Sequence, residues 1–245
     1  MKLLVSVRDA IEASAARAGA ADIIDAKEPA SGALGAVDLA TFQQIVATIA
    51  HARPVTAALG DAVDERAIAR TADAFARAGA RLVKIGFAGI ASCTRVTSLV
   101  AAARTGAGSH AGVIATAYAD ADRASSLNPF AVIDAAASAG ATGVLLDTAD
   151  KQGSGLAGLM SPEQLYSWVR AARDARLLVA LAGKLTRDDF GYVCDAGADI
   201  VGVRGAACNG GRTGQISAAR VRALRSVAAR RSAPARVPDP VSAFE

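Results

Sequence analysis

Short apolar runs alternate with alanine-rich stretches of helical spacing along most of the chain. Leu3-Leu4-Val5-Ser6-Val7 opens the series. The phrase Arg17-Ala18-Gly19-Ala20-Ala21-Asp22-Ile23 is echoed at Arg77–Val83, Ser138–Val144 and Asp195–Ile200. Each copy reads as the end of an Ala-rich helix, a glycine that stops it, a polar residue and then a strand. The copies lie about 60 residues apart, which suits two βα units per repeat. Pro54–Gly60, Ala111–Tyr118 and Leu177–Gly183 supply the strands half-way between them. Eight short strands, each followed by an amphipathic stretch, predict an α/β fold, a single-domain (β/α)8 TIM barrel over residues 1–227. A doubly wound open sheet is the competing plan. It would carry a Gly-rich dinucleotide turn after its first strand, and Arg8-Asp9-Ala10 is not one. Residues 228–245, with Arg230, Arg231, Pro234, Arg236, Pro238 and Pro240, lose all periodicity and are expected to form a disordered C-terminal tail.

The same alternation sorts side chains to two faces, because neighbours two apart on a strand share a side. Ile24, Ala26, Val83, Ile85, Leu146, Leu181, Val201 and Val203 mark the face turned to the helices. The opposite parity carries Ser6, Asp25, Lys27, Thr56, Lys84, Thr116, Tyr118, Asp120, Asp147, Lys184 and Arg204, all near the C-terminal ends of their strands. That end of a barrel is where its chemistry gathers. Asp25 and Lys27 read either as an internal ion pair or as part of an amine-catalysis site. The structural alternative pairs Lys27 with Asp25 and Lys84 with Asp147 as fixed bridges, and the two readings are compatible in a resting enzyme. A lysine crowded by other cations and removed from water has a lowered pKa, which frees its lone pair for attack on a carbonyl. Gly183-Lys184 and Arg204-Gly205-Ala206, followed by Gly210, Gly211 and Arg212, occupy the loops after strands seven and eight, the usual phosphate position in barrels. Lys151, in the Gly-rich loop after Asp147, reads as a substrate-closing group or as a solvated loop lysine.

Composition narrows the partners. The chain has 245 residues, 52% hydrophobic but only 4% aromatic, and a net charge of +4. Scarce aromatics leave little for base stacking, so no nucleic-acid partner is expected, and an anionic small molecule accounts for a positive cavity. Cys93, Cys194 and Cys208 are odd in number and form no motif, which suits a reducing compartment. No His/Cys/carboxylate set has metal spacing, and no run is long enough to span a bilayer. Met1–Val7 begins like a signal peptide, but Arg8, Asp9 and Glu12 interrupt it. A soluble, cytoplasmic protein is expected, and its Ala-rich outer helices suit solvent or a second subunit of a homo-oligomer. His51 and His110 precede strands and should be surface groups at the opposite end. Trp168 and Tyr166, behind the Ser161-Pro162-Glu163 helix start, are expected in packing, as is Cys208.

Taken together, Ala21–Lys27, Gly32–Ala36, Val83–Gly86, Leu146–Ala149 and Asp199–Cys208 resemble the (5-formylfuran-3-yl)methyl phosphate synthase family, in order from Met1 to about Arg225. The resemblance implies a class I aldolase-like carbon–oxygen lyase on a barrel, without metal or organic cofactor. Such an enzyme joins two molecules of glyceraldehyde 3-phosphate, with loss of one phosphate and water, to the furan aldehyde phosphate precursor of methanofuran, a cofactor of one-carbon metabolism. It implies Lys27 as the Schiff-base lysine and Lys84 as the proton-transfer lysine, with Asp25, Asp147 and Lys151 assisting. Gly183, Lys184, Arg204, Gly205 and Ala206 are the expected phosphate contacts. Lys184 departs from the archaeal pattern, which has a small polar residue there. The alternatives are another phosphosugar aldolase barrel of the deoxyribose-phosphate type, or a barrel that binds phosphometabolites without turnover.

Overall fold

The computed structural model of the chain describes residues 1–230. Eight parallel strands close into a barrel in sequence order: β1 Lys2–Val7, β2 Ile23–Ala26, β3 Val55–Asp61, β4 Leu82–Gly86, β5 Gly112–Tyr118, β6 Gly143–Asp147, β7 Leu178–Leu181 and β8 Ile200–Val203. Closure is made by β1 against β8, with Lys2 opposite Ile200 and Leu4 opposite Gly202. Main connecting helices are α1 Ala10–Ala18, α2 Leu39–Ile49, α3 Glu65–Arg77, α4 Cys93–Ala107, α6 Pro129–Ser138, α8 Pro162–Asp174 and α10 Ala218–Arg230. Three shorter ones, α5 Ala121–Ala124, α7 Leu156–Leu159 and α9 Phe190–Asp195, sit in the connections after β5, β6 and β7. A small hairpin of β9 Cys208–Asn209 and β10 Gln215–Ile216 follows β8, an element the strand pattern did not announce.

Helix starts follow from their caps. Asp9, Asp38, Asp64 and Ser92 each accept a hydrogen bond from an amide in the first turn, and Ser161 with Gln164 forms a full capping box. Larger apolar groups such as Phe42, Ile45, Leu99 and Trp168 fill the space between helices and strands, and alanines such as Ala13, Ala16, Ala72 and Ala136 let individual turns approach closely.

Two cores result from the period of two. Val5, Ile24, Ile85, Leu146, Leu181 and Val203 pack outward against the helices. Leu4, Ile23, Leu82, Ile114, Leu145, Leu178 and Ile200 fill the barrel interior. This interior plug occupies the N-terminal half, so Ser6, Asp25, Lys84 and Asp147, two residues further along β1, β2, β4 and β6, form the floor of the opposite mouth. His51 and His110 are exposed, away from that mouth, and Trp168 is buried with its indole N–H donating to the Pro129 carbonyl. Tyr166 differs from its expected packing role: it is 52% exposed on the outer face of α8. Ala228 is buried within α10, so the barrel continues past the expected boundary at 227. The rest of the predicted tail, 231–245, lies outside the described residues.

One interior contact depends on having no side chain. A Cβ at Gly86 would overlap Asp61 Oδ1, the Tyr118 hydroxyl and the Leu34 side chain. The Tyr118 hydroxyl donates to Asp61 Oδ1 at 2.6 Å, and burial, followed by the nearby Asp61 charge, raises the phenol pKa so that it stays protonated. Gly86→Ala is expected to lower stability by about 1–3 kcal/mol through overpacking. Denaturant unfolding measures it, and an unchanged midpoint would show that the Tyr118–Asp61 pair does not depend on this approach.

Candidate active site

Asp25 is the first fixed point of the mouth. It is fully buried on β2 and receives hydrogen bonds from the flanking strands: Ser6 Oγ on β1 at 2.9 Å and Thr56 Oγ1 on β3 at 2.7 Å. The register places all three side chains together, since Ser6 pairs with Asp25 and Asp25 with Thr56. Lys84, from β4, completes the set by an ion pair to Asp25 Oδ1. Asp147 is the second fixed point. Its Oδ1 accepts from the Lys151 ammonium at 2.7 Å, while Lys27 lies 3.8 Å from Oδ2, beyond hydrogen-bond reach.

The partners named in the fixed-bridge alternative are therefore exchanged. Lys84, not Lys27, pairs with Asp25, and Lys27, not Lys84, faces Asp147. Residues two apart on one strand point to the same side but remain a full pleat repeat apart. A lysine stem leaves that level altogether and crosses the barrel to a neighbour's carboxylate. Lys151 is neither solvated nor held as a free lid group: Asp147 and the Thr148 carbonyl both accept from it. Its loop is pinned by Asp120, which accepts from the amides of Ala149 and Asp150 at 2.7 and 2.8 Å. Asp120 thus belongs to the loop's support and not to the open ring.

These groups line one cavity of about 290 Å³ with Gly183, Lys184, Gly205, Ala206 and Arg212. Burial pushes the Lys27 ammonium from 10.5 down to about 8; Asp147 opposes that shift, and Lys151 and Lys84 reinforce it. At pH 7 roughly one amine in ten is then uncharged, against roughly one in three thousand without the shift. Burial would raise the Asp147 carboxyl, but the Lys151 and Lys27 charges outweigh it and hold the group below its usual value. Lys27 is therefore the poised amine, set in the field of a firmly ionised carboxylate.

The glycine-rich side behaves less uniformly. Gly183 takes φ +103 and Lys184 φ +57, so the chain turns through two left-handed residues in succession. That turn sends the Lys184 ammonium across to the Gly153 carbonyl and joins the loops after β6 and β7. Arg204 departs from the expected phosphate contact. Its guanidinium is buried, with Nη1 and Nη2 on Glu12 at 2.8 and 3.2 Å and the remaining donors on the carbonyls of Ser6, Arg212 and Gly214. All five N–H groups are engaged, so the side chain holds the loop's shape. Cys208 is buried beside it with its thiol pKa raised by burial, in keeping with packing.

Sequence reasoning passed over Glu12 and Asp61. The Asp9-x-x-Glu12 spacing reads as an ordinary capping box, but Glu12 accepts from the amide of Arg8, one residue before the N-cap, at 2.9 Å. The overlooked signal was a second use for that carboxylate, opposite an arginine at a strand end. Among the described residues no group of three or more His, Cys, Asp or Glu is placed to hold a metal ion, and no helix is long and apolar enough to cross a membrane.

Two outcomes follow. Glu12→Leu leaves a buried guanidinium without its counter-charge and is expected to cost about 3–5 kcal/mol in an unfolding titration; a loss below 1 kcal/mol would mean that the backbone carbonyls alone hold Arg204. Lys27 reacts only as the free amine, so borohydride trapping of a bound aldehyde should speed up about tenfold per pH unit and level off near pH 8. Asp147→Asn removes the charge that raises the Lys27 pKa and should move the rising limb to lower pH. Lys151→Met removes one that lowers it and should move the limb to higher pH. A limb that stays put in both variants would remove Asp147 and Lys151 from control of this amine.

The model of the 4-HFC-P synthase family matches residues 3–225. The (5-formylfuran-3-yl)methyl phosphate synthase of Methanothermobacter thermautotrophicus is 37% identical over 93% of this chain and 98% of its own. That of Methanocaldococcus jannaschii is 36% identical over 93% and 99%. Among solved structures, 3-hexulose-6-phosphate synthase from Salmonella typhimurium superposes with a TM-score of 0.66 at 18% identity, covering 95% of this chain and 100% of that one, which speaks to the barrel alone. With nearly the whole barrel matched, strand ends included, this chain belongs to the 4-HFC-P synthase family.

Proposed function

We propose that the protein condenses two molecules of glyceraldehyde 3-phosphate into (5-formylfuran-3-yl)methyl phosphate through a Schiff base on Lys27. The observation that carries this reading is a buried, incompletely paired lysine amine in a cavity shared with a second lysine and two carboxylates. Membership of the family supports it further.

The chemistry can be written on these residues. The Lys27 amine adds to the aldehyde of one triose phosphate and loses water to give an iminium, which acidifies the adjacent carbon. Lys84, held against Asp25, is placed to carry that proton away once its own charge is given up to the carboxylate, and to return it later. The resulting enamine expels the phosphate on its β-carbon, and the enol left behind attacks, through that former phosphate-bearing carbon, the carbonyl of the second triose in its ketose form, reached by proton transfer between its first two carbons. Ring closure by the terminal hydroxyl of that ketose onto the neighbouring ketone, with loss of two waters, and hydrolysis of the iminium from Lys27 end in an aromatic furan aldehyde, whose stability makes the sequence irreversible. Lys151 keeps Asp147 ionised, and Asp147 in turn stabilises the cationic iminium at Lys27. Gly183, Lys184, Gly205 and Ala206 receive the phosphate that is retained, their small side chains allowing close backbone approach. No step calls for a metal or a redox cofactor. On this reading the protein is a cytoplasmic carbon–oxygen lyase that supplies a methanofuran-type cofactor.

Incubation with glyceraldehyde 3-phosphate alone should yield a product with furan absorbance and one phosphate per two trioses consumed. Borohydride added during turnover should trap an adduct on Lys27, and Lys27→Met should abolish it. An aldol adduct that keeps both phosphates would favour a phosphosugar aldolase; binding without turnover would favour a regulatory barrel.

A further inference from the structure

Two phosphoryl groups enter the proposed reaction and only one leaves as inorganic phosphate, so the mouth must hold two anions with different fates. Two cations in the cavity are free of carboxylate bridges among the described residues. Lys184 on the β6/β7 flank donates to the Gly153 carbonyl. Arg212 on the β8/β2 flank donates to the carbonyls of Pro29 and Gly32, the latter at 2.6 Å. Only two of the five guanidinium N–H groups of Arg212 are engaged in this way.

Arg212 is also the better supported of the two. Glu12 fixes Arg204, and Arg204 Nε donates to the Arg212 carbonyl at 2.7 Å, so a buried ion pair sets the backbone from which this side chain reaches out. The side chain arrives at Pro29, two residues beyond Lys27 on the same loop. Asp147, the carboxylate that faces Lys27, is the strongest opposite charge acting on it.

We propose that Arg212 holds the phosphoryl group that departs, the one carried by the triose bound to Lys27. This assignment rests on the Schiff-base reading above. In an iminium of glyceraldehyde 3-phosphate the phosphate oxygen sits on the carbon β to the iminium carbon. A base removes the proton from the carbon between them, and those electrons form the new carbon–carbon double bond. The C–O bond breaks, and its pair goes to the phosphate oxygen. The leaving group gains negative charge at that moment. A planar, permanently charged fork fixed beside it stabilises the change in a way that a flexible ammonium does not. Lys184, on the far flank, is left for the phosphate of the second triose.

The test separates phosphate departure from adduct formation. Arg212→Gln and Arg212→Met drop the charge, and Arg212→Lys keeps it; Lys184→Met serves as the comparison. With glyceraldehyde 3-phosphate as substrate, Arg212→Gln and Arg212→Met should form the borohydride-trapped adduct at near wild-type rates. They should release inorganic phosphate about 100-fold more slowly, the size of loss typical for one missing donor to a developing anion. By mass, their trapped adduct should retain the phosphoryl group that the wild-type adduct has lost. Arg212→Lys should recover phosphate release to within about tenfold. Lys184→Met should raise KM without that retention. Equal activity in Arg212→Lys and Arg212→Gln, or equal loss of adduct and phosphate release, would reduce Arg212 to a tie between loops and overturn the assignment. So would retention of the phosphoryl group in Lys184→Met instead. A wild-type protein that forms no adduct at all would refute the Schiff-base reading itself, a result distinguishable from these.

Discussion

Taking an ammonium group out of water costs several kcal/mol unless a carboxylate is held against it, and at this mouth three ammonium groups share two carboxylates. Asp25 is taken by Lys84 and by two hydroxyls. Asp147 is hydrogen-bonded to Lys151, which leaves Lys27 near it but without a direct bond. The shortage falls on one amine. Its pKa comes down because burial is only partly compensated, which leaves a reactive, uncharged share of that amine near neutral pH. Adding a third carboxylate would satisfy the charges and remove the reactivity.

Such an arrangement persists only if its neighbours cannot relax around it. Each loop that brings a charge to the mouth is tied down by a polar group that never faces the cavity's reacting atoms. Asp120 accepts two amides of the loop carrying Lys151. Glu12 neutralises Arg204, whose other donors collect three carbonyls from β1 and the β8 loop. A buried arginine with all five donors used is costly to leave unpaired but fixes geometry well, because no alternative arrangement satisfies as many groups. The preorganisation of the site therefore rests on ion pairs one layer removed from the chemistry.

The Lys184 turn follows the same logic at smaller scale. A lysine in left-handed geometry costs roughly 1–2 kcal/mol relative to a regular backbone. Here that geometry follows Gly183 and carries the amine toward the β6 loop, closing the ring of loops on its far side.

Strand count, order and the inward face were legible in the sequence because they depend on local quantities: a period of two, glycines that stop helices, and aspartates and serines that start them. The interior positions of Asp25, Lys84 and Asp147 followed from parity alone. Partner choice did not. Whether Lys27 meets Asp25 or Asp147 depends on which strands are neighbours around a closed barrel, and on the direction in which a flexible four-carbon stem finds room. Arg204 illustrates the same limit. Its position at a strand end marked it as a phosphate ligand, but a glutamate 192 residues earlier claims its guanidinium. The sequence determined which side chains could reach the mouth; the closed barrel decided which of them pair there, because pairing is set by distances through space that no spacing along the chain encodes.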